Sequence, residues 1–172
     1  MTLTLDGFNS LSPERARELL CSCCGATRWV DGMIARRPFA SVDGVLRAAD
    51  DVWASLGPED WHEAFAHHPR IGEQRSAAAQ DARAATWSAG EQAGVTSAHG
   101  SVPDELASVN QAYEERFGHI YIVCATGKSA GELLAIARER LGNAPDVELR
   151  IAAEEQRKIT RLRLQRLFTE ST

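Results

Sequence analysis

Helix-opening signals recur along this chain, and each is followed by apolar residues spaced three and four apart. Ser12-Pro13-Glu14 joins a capping hydroxyl, a first-position proline and a first-turn acid, so a helix is expected from there to about Cys21. A second amphipathic stretch, Thr27 to Arg36, stops before Pro38. Ser41 caps a longer one in which Val42, Val45, Leu46, Ala49, Val52, Trp53 and Leu56 make a single stripe, ended by Gly57-Pro58. Pro58 opens a short helix bearing Trp61 and Phe65. It reaches His67-His68 and stops there, because the residue before a proline, here Pro69, resists the helical backbone.

Arg70 to Ser76 reads as an exposed connection, followed by an alanine-rich helical region from Ala77 to Gly94 and a loop from Val95 to Ser101. Pro103 opens a helix that ends near Phe117-Gly118. His119 to Ala125 is a short apolar run of extended character. Ser129 and Glu132 form a capping box for a helix ending at Gly142-Asn143, and Pro145 begins the last and longest one, to about Phe168. The expected architecture is all-α, a single compact domain over residues 1–172 with about eight helices.

Composition narrows the function classes. With 172 residues, 44% of them hydrophobic, the chain can bury a core without disulfide or metal staples. The balance of 19 basic and 24 acidic residues, −5 overall, comes without long blocks of one sign, so no nucleic-acid grip is expected. All basic residues but Lys128 and Lys158 are arginines, side chains suited to bidentate carboxylate binding, although genomic base composition produces the same bias. No apolar stretch approaches the roughly 18 residues of a membrane helix. Neither terminus carries a secretory, peroxisomal or lipidation signal, and the expected compartment is the cytoplasm.

Four features carry possible chemistry, each with a plainer alternative. His67-His68-Pro69 closes a helix. A histidine there satisfies the last carbonyls, or is held by the proline and aimed into a pocket as acid or base. Ser88, Glu91 and Gln92 read either as a capping box with a solvated neighbour or as a polar platform on one helical face. In the last helix the apolar seam runs Leu149, Ala152, Gln156, Ile159, Arg163 and on to Leu167. Arg163 lies about 40° from both Ile159 and Leu167, whereas Arg161 points away. An arginine inside such a stripe needs an anionic partner, either a structural carboxylate or that of a substrate. Cys21, Cys23 and Cys24, with Cys124 elsewhere, lack metal-ligand spacing and read as small buried thiols. There is no phosphate loop and no nucleophile elbow.

At these residues the sequence resembles the OHCU decarboxylases, which act on 2-oxo-4-hydroxy-4-carboxy-5-ureidoimidazoline (OHCU). The resemblance spans nearly the whole chain. It includes Cys23-Cys24-Gly25 followed by Trp29, Arg37-Pro38-Phe39, His68-Pro69, Ser88-x-x-Glu91-Gln92-x-Gly94, and Phe117-Gly118 leading to Ile122-Val123-Cys124-Ala125. Ser129 and Glu132, Arg140-Leu141-x-Asn143, Glu148-Leu149 and Lys158-Ile159-x-x-Leu162-Arg163-Leu164 complete it. The resemblance implies an all-α homodimer that forms (S)-allantoin and CO2 without metal or organic cofactor, in the last step from urate to allantoin. It assigns His68, Glu91 and Arg163 to catalysis, and Pro69, Ser88, Gln92 and the main chain of Tyr121, Ile122, Val123, Cys124 and Ala125 to substrate binding. The implied partner is the small ureidoimidazoline, with no nucleic acid and no membrane. The chain departs from the pattern at Arg70, where many relatives carry Asp, and at His119 and Ile120, where relatives often have an aromatic residue and a proline. A lyase on another ureido or purine-derived acid, and a non-catalytic helical binding module, are the alternative functions.

Overall fold

The computed structural model describes residues 3–73 and 81–169. Among these every regular element is an α-helix: α1 (Leu5–Ser10), α2 (Pro13–Cys23), α3 (Thr27–Ala35), α4 (Val42–Ala54), α5 (Pro58–Phe65), α6 (Ala82–Glu91), α7 (Ala93–Thr96), α8 (Val102–Phe117), α9 (Ala130–Arg140) and α10 (Pro145–Thr169). The caps expected from sequence are in place: Ser12 and Ser41 accept from the N–H groups of Arg15 and Gly44, and the Ser129–Glu132 capping box is complete. Gly118 ends α8 in the left-handed region at φ 75°, a conformation that costs glycine nothing.

Two helices exceed the expected set, and both depend on contacts distant in sequence. The six residues of α1 carry one buried side chain, Phe8. The carbonyl groups near its end are taken by Arg37, whose Nη2 donates to the oxygens of Phe8, Asn9 and Leu11 at 2.7, 2.8 and 2.6 Å. The four-residue α7 occupies part of the stretch expected as a loop from Val95. Gly94 lies so close to another segment that a Cβ there would sit 2.3 Å from the Lys128 carbonyl oxygen. Two boundaries also move: α2 continues to Cys23, and α5 ends at Phe65, short of His67-His68. The expected helical stretch Ala77 to Gln80 lies outside the described residues.

The chain divides into two compact units. Unit 1 comprises residues 1–64 and 157–172. Its core contains Leu20, Trp29, Val30, Met33, Val45 and Leu164, and the Trp29 indole N–H donates to the Ala49 carbonyl at 3.2 Å. The Phe8 ring meets Phe168 edge-on at 5.5 Å. Unit 2 comprises residues 65–156. Its core is built from Leu106 and Tyr113 of α8, Leu133, Leu134 and Ala137 of α9, and Tyr121, Val123 and Ala125 of the run between them. Ile71 joins this core at 7% exposure, so the connection expected to be exposed is anchored at that residue.

Candidate active site

In unit 2 the short connection after α5 carries His68 and Pro69, both half-buried, and the His68 N–H closes a turn on the Phe65 carbonyl at 3.0 Å. Two neutral amides hold the following residues. Asn110 Nδ2 donates to the Ile71 carbonyl at 2.7 Å, and the Gly72 N–H donates to Gln92 Oε1 at 2.9 Å. A surface ion pair adds to them, with Arg70 reaching both oxygens of Glu114, one at 2.9 Å. This is the Arg70 that departs from the family pattern.

Ser88 and Glu91 do not cap a helix. The cap of α6 is Asp81, which accepts from the Ala84 N–H at 2.7 Å, while Ser88 and Glu91 sit in the last turn and are buried. The capping alternative is thereby overturned, because the helix starts well before the S-x-x-E pattern. Pro69, Ser88 and Gln92 line one cavity of about 810 Å3, together with Leu106, Asn110 and Glu114. Glu91 is near enough to Cys124 for its charge to act on the thiol. Burial first, then the carboxylates of Glu155 and Glu91, push the Cys124 thiol above its ordinary range against the opposing Lys128.

Tyr121 to Ala125 are all buried. Tyr121, Val123 and Ala125 turn their side chains into the unit 2 core, the alternation of an extended run. The main chain beside them is gripped by charged side chains. Arg140 Nη1 donates to the Ile122 carbonyl at 2.8 Å, the Cys124 N–H donates to Glu155 Oε2 at 2.8 Å, and Lys128 Nζ donates to the Cys124 carbonyl at 3.0 Å.

Arg140 is itself held by Glu148, with Nε 2.7 Å and Nη2 2.5 Å from Oε1. Tyr113 also donates to Glu148 Oε1, and Asn143 Nδ2 donates to Oε2 at 2.9 Å. The guanidinium carbon lies 5.0 Å from the Tyr121 ring centre, within cation–π range. Burial works against the Arg140 charge, but the bond to Glu148 and the electrostatic pull of Tyr113, Glu148 and Tyr121 together outweigh it, and the guanidinium stays protonated. Burial and the bond to Glu148 drive the Tyr113 phenol far up.

The sequence reading missed the part of Glu155, Lys128 and Asn110, and gave Arg140 and Glu148 no task beyond membership of a motif. Glu155 stands in the charged stretch Glu154-Glu155-Gln156-Arg157-Lys158, where nothing local separates it from solvated neighbours.

In unit 1, Arg163 is buried at 2% exposure, as the seam of α10 predicts, and Nη1 donates to the Ser22 carbonyl at 3.2 Å in the last turn of α2. That is the negative end of the α2 dipole. Arg161 is half-exposed and shares Asp50 with Arg157, at 2.8 and 2.9 Å. Cys24, near Arg163, is a buried neutral thiol, its pKa pushed up to about 12 by desolvation.

The profile of the OHCU decarboxylases matches residues 9–165, nearly the whole chain. The chain belongs to the OHCU decarboxylase family. It is 36% identical over 148 residues to the uric acid degradation bifunctional protein TTL of Arabidopsis thaliana, covering 86% of this chain and 46% of that one. It is 25% identical over 168 residues to the 2-oxo-4-hydroxy-4-carboxy-5-ureidoimidazoline decarboxylase of Haloferax volcanii, covering 97% of each. The chain spans less than half the length of the first curated relatives it matches. A crystal structure of an OHCU decarboxylase in the presence of (S)-allantoin superimposes with a TM-score of 0.76 at 33% identity, over 92% of this chain and 99% of that one. The all-α architecture is the fold of this family. Among the described residues no helix is long and apolar enough to cross a membrane.

Proposed function

We propose that this member of the OHCU decarboxylase family converts OHCU to (S)-allantoin and CO2 without a cofactor, as the last step from urate to allantoin. The observation that most supports this reading is the likeness to the OHCU decarboxylase crystallised in the presence of (S)-allantoin, which extends over 99% of that chain.

The substrate carries its carboxylate on a carbon that also bears a hydroxyl and adjoins a ring C=N. When the bond to the carboxylate breaks, CO2 departs and the electron pair passes into the conjugated C=N, so the substrate supplies its own electron sink. His68 moves the proton at the hydroxyl or ring. Its position just before Pro69, which lines the cavity, supports that role. Glu91, buried in the last turn of α6, holds His68 or the ureido arm. Ser88 and Gln92 fix the ring, Pro69 flanks it, and the main chain of Tyr121–Ala125 contacts it. Protonation on one face of the bound intermediate gives the S product. Arg163 orients the substrate carboxylate, a role supported by its place inside the apolar stripe and by its burial. The resemblance further supports a homodimer acting in the cytoplasm on this one small molecule.

The test generates OHCU in situ from urate with a urate oxidase and a hydroxyisourate hydrolase. Loss of substrate is followed by ultraviolet absorbance, and optically active allantoin by circular dichroism. Fast formation of the S enantiomer is expected, unchanged by a chelator and abolished in folded His68→Ala. Decay at the spontaneous rate to racemic product would overturn the proposal, and normal turnover by His68→Ala would remove His68 from its role. Arg163→Lys is expected to lower kcat/KM far more than Arg161→Lys, since a point charge does not replace a bidentate fork. Equal losses in the two variants would withdraw the role given to Arg163.

A further inference from the structure

We propose that Arg140 and Glu155 are positioning residues that aim the main-chain N–H and C=O of Val123 at the substrate ring. The inference rests on the decarboxylase reading above and concerns how the Tyr121–Ala125 run meets its ligand.

In a trans peptide the C=O of one residue and the N–H of the next lie in one plane and point in opposite directions. Among the described residues the cis peptide is Arg37–Pro38, so both peptides flanking Val123 are trans. Arg140 holds the Ile122 carbonyl at 2.8 Å and thereby sets the direction of the Val123 N–H. Glu155 holds the Cys124 N–H at 2.8 Å and thereby sets the direction of the Val123 C=O. Each of Val123's two polar groups is oriented through the far side of its own peptide.

Those two groups have no hydrogen-bond partner among the described residues, although Val123 is only 4% exposed. Buried main-chain groups are almost always paired, so an unpaired donor and acceptor on one residue calls for a reason. A buried ion pair such as Arg140–Glu148 is also a poor way to stabilise a plain loop, since apolar side chains of similar size commonly do as well or better. Charged groups committed to the peptides on both sides of one residue fit a need for direction more than for stability. An adjacent N–H and C=O complement a ring urea or lactam, which offers a carbonyl to the Val123 N–H and a ring N–H to the Val123 C=O. The 2-oxo-imidazoline ring belongs to that class.

The test uses the whole chain, 15N-labelled, with (S)-allantoin as the probe, and compares the wild type with Glu155→Ala and Glu155→Gln. In the wild type the Val123 amide resonance is expected to move downfield as (S)-allantoin saturates the protein. Loss of one oriented hydrogen bond corresponds to as much as about a tenfold rise in KM and in the dissociation constant for allantoin. Glu155→Ala is expected to show that rise while staying folded, with a melting temperature lowered by the unpaired Cys124 N–H. Glu155→Gln, whose Oε1 still accepts from the Cys124 N–H, is expected to recover most of it. The Val123 shift in the wild type needs no variant, so a misfolded substitution does not blunt the test. Turnover with an unmoved Val123 amide, or a folded Glu155→Ala with wild-type KM, would overturn this inference and leave the decarboxylase reading intact. A Val123 shift without turnover would support the ring contact and remove the decarboxylase reading.

Discussion

Two short non-helical segments of unit 2 carry most of the expected site residues, and they are held in opposite ways. The connection from His68 to Glu73 is fixed by neutral amides, Asn110 on the Ile71 carbonyl and Gln92 on the Gly72 N–H, with the exposed Arg70–Glu114 pair beside them. The run from Tyr121 to Ala125 is buried and fixed by the charged Arg140, Glu155 and Lys128. The difference follows from solvent. A partly exposed segment shares its polar groups with water, so amides and screened ion pairs suffice. In a buried segment a main-chain group cut off from water is left to a partner inside, protein or ligand, and a charge placed there must be matched by another, as Glu148 matches Arg140.

This contrast yields predictions of decreasing size. Arg140→Met leaves Glu148 as a buried carboxylate without its guanidinium, and is expected to destabilise the protein by about 3–5 kcal/mol. Urea denaturation measures this, and a loss below about 1 kcal/mol would mean that the charged grip on the run is dispensable.

Alkaline pH separates the segments next. Burial raises the Tyr113 and Tyr121 phenols from 10.0 and the Cys124 thiol from 9.0, whereas Arg70, beside the connection, is pushed up by its bond to Glu114 and stays charged throughout. Below about pH 8 folded and unfolded chains hold the same protons on these groups. Above it the unfolded chain releases protons that the folded one keeps, so stability falls as pH rises. Each such group adds a slope of up to about 1.4 kcal/mol per pH unit. Denaturation of the wild type between pH 8 and 11 should show this fall, and Tyr113→Phe a shallower one above pH 10. Identical slopes would mean that the Tyr113 phenol titrates alike in both states.

The smallest effect belongs to the exposed pair. Arg70→Ala is expected to change stability by about 0–1 kcal/mol, with a difference that shrinks further in high salt. A thermal melt at two salt concentrations checks it, and a large salt-independent loss would place Arg70 with the buried grips.

The two segments were also unequally legible in the amino-acid sequence. His68-Pro69 and the Ser88–Gln92 stretch stood out because proline and helical spacing act within four residues, and Arg163 stood out because a charge interrupts an apolar stripe. The capping reading of Ser88 failed because the helix start at Asp81 lies upstream of the pattern that suggested it. Asn110 and Glu155 left no local sign, since their partners are 39 and 31 residues away.

By itself the sequence determined the helical class, the caps at Ser12, Ser41 and Ser129, and the inward face of α10, because hydrogen bonds and apolar periodicity at those points are settled between near neighbours. Only the tertiary structure decided that α1 is closed by Arg37 and that α7 begins against the Lys128 carbonyl. It alone decided that Arg140 and Glu155 grip the peptides on either side of Val123. Those outcomes depend on desolvation and pairing across long stretches of chain, where the sign and direction of a contact exist only once the partners have met.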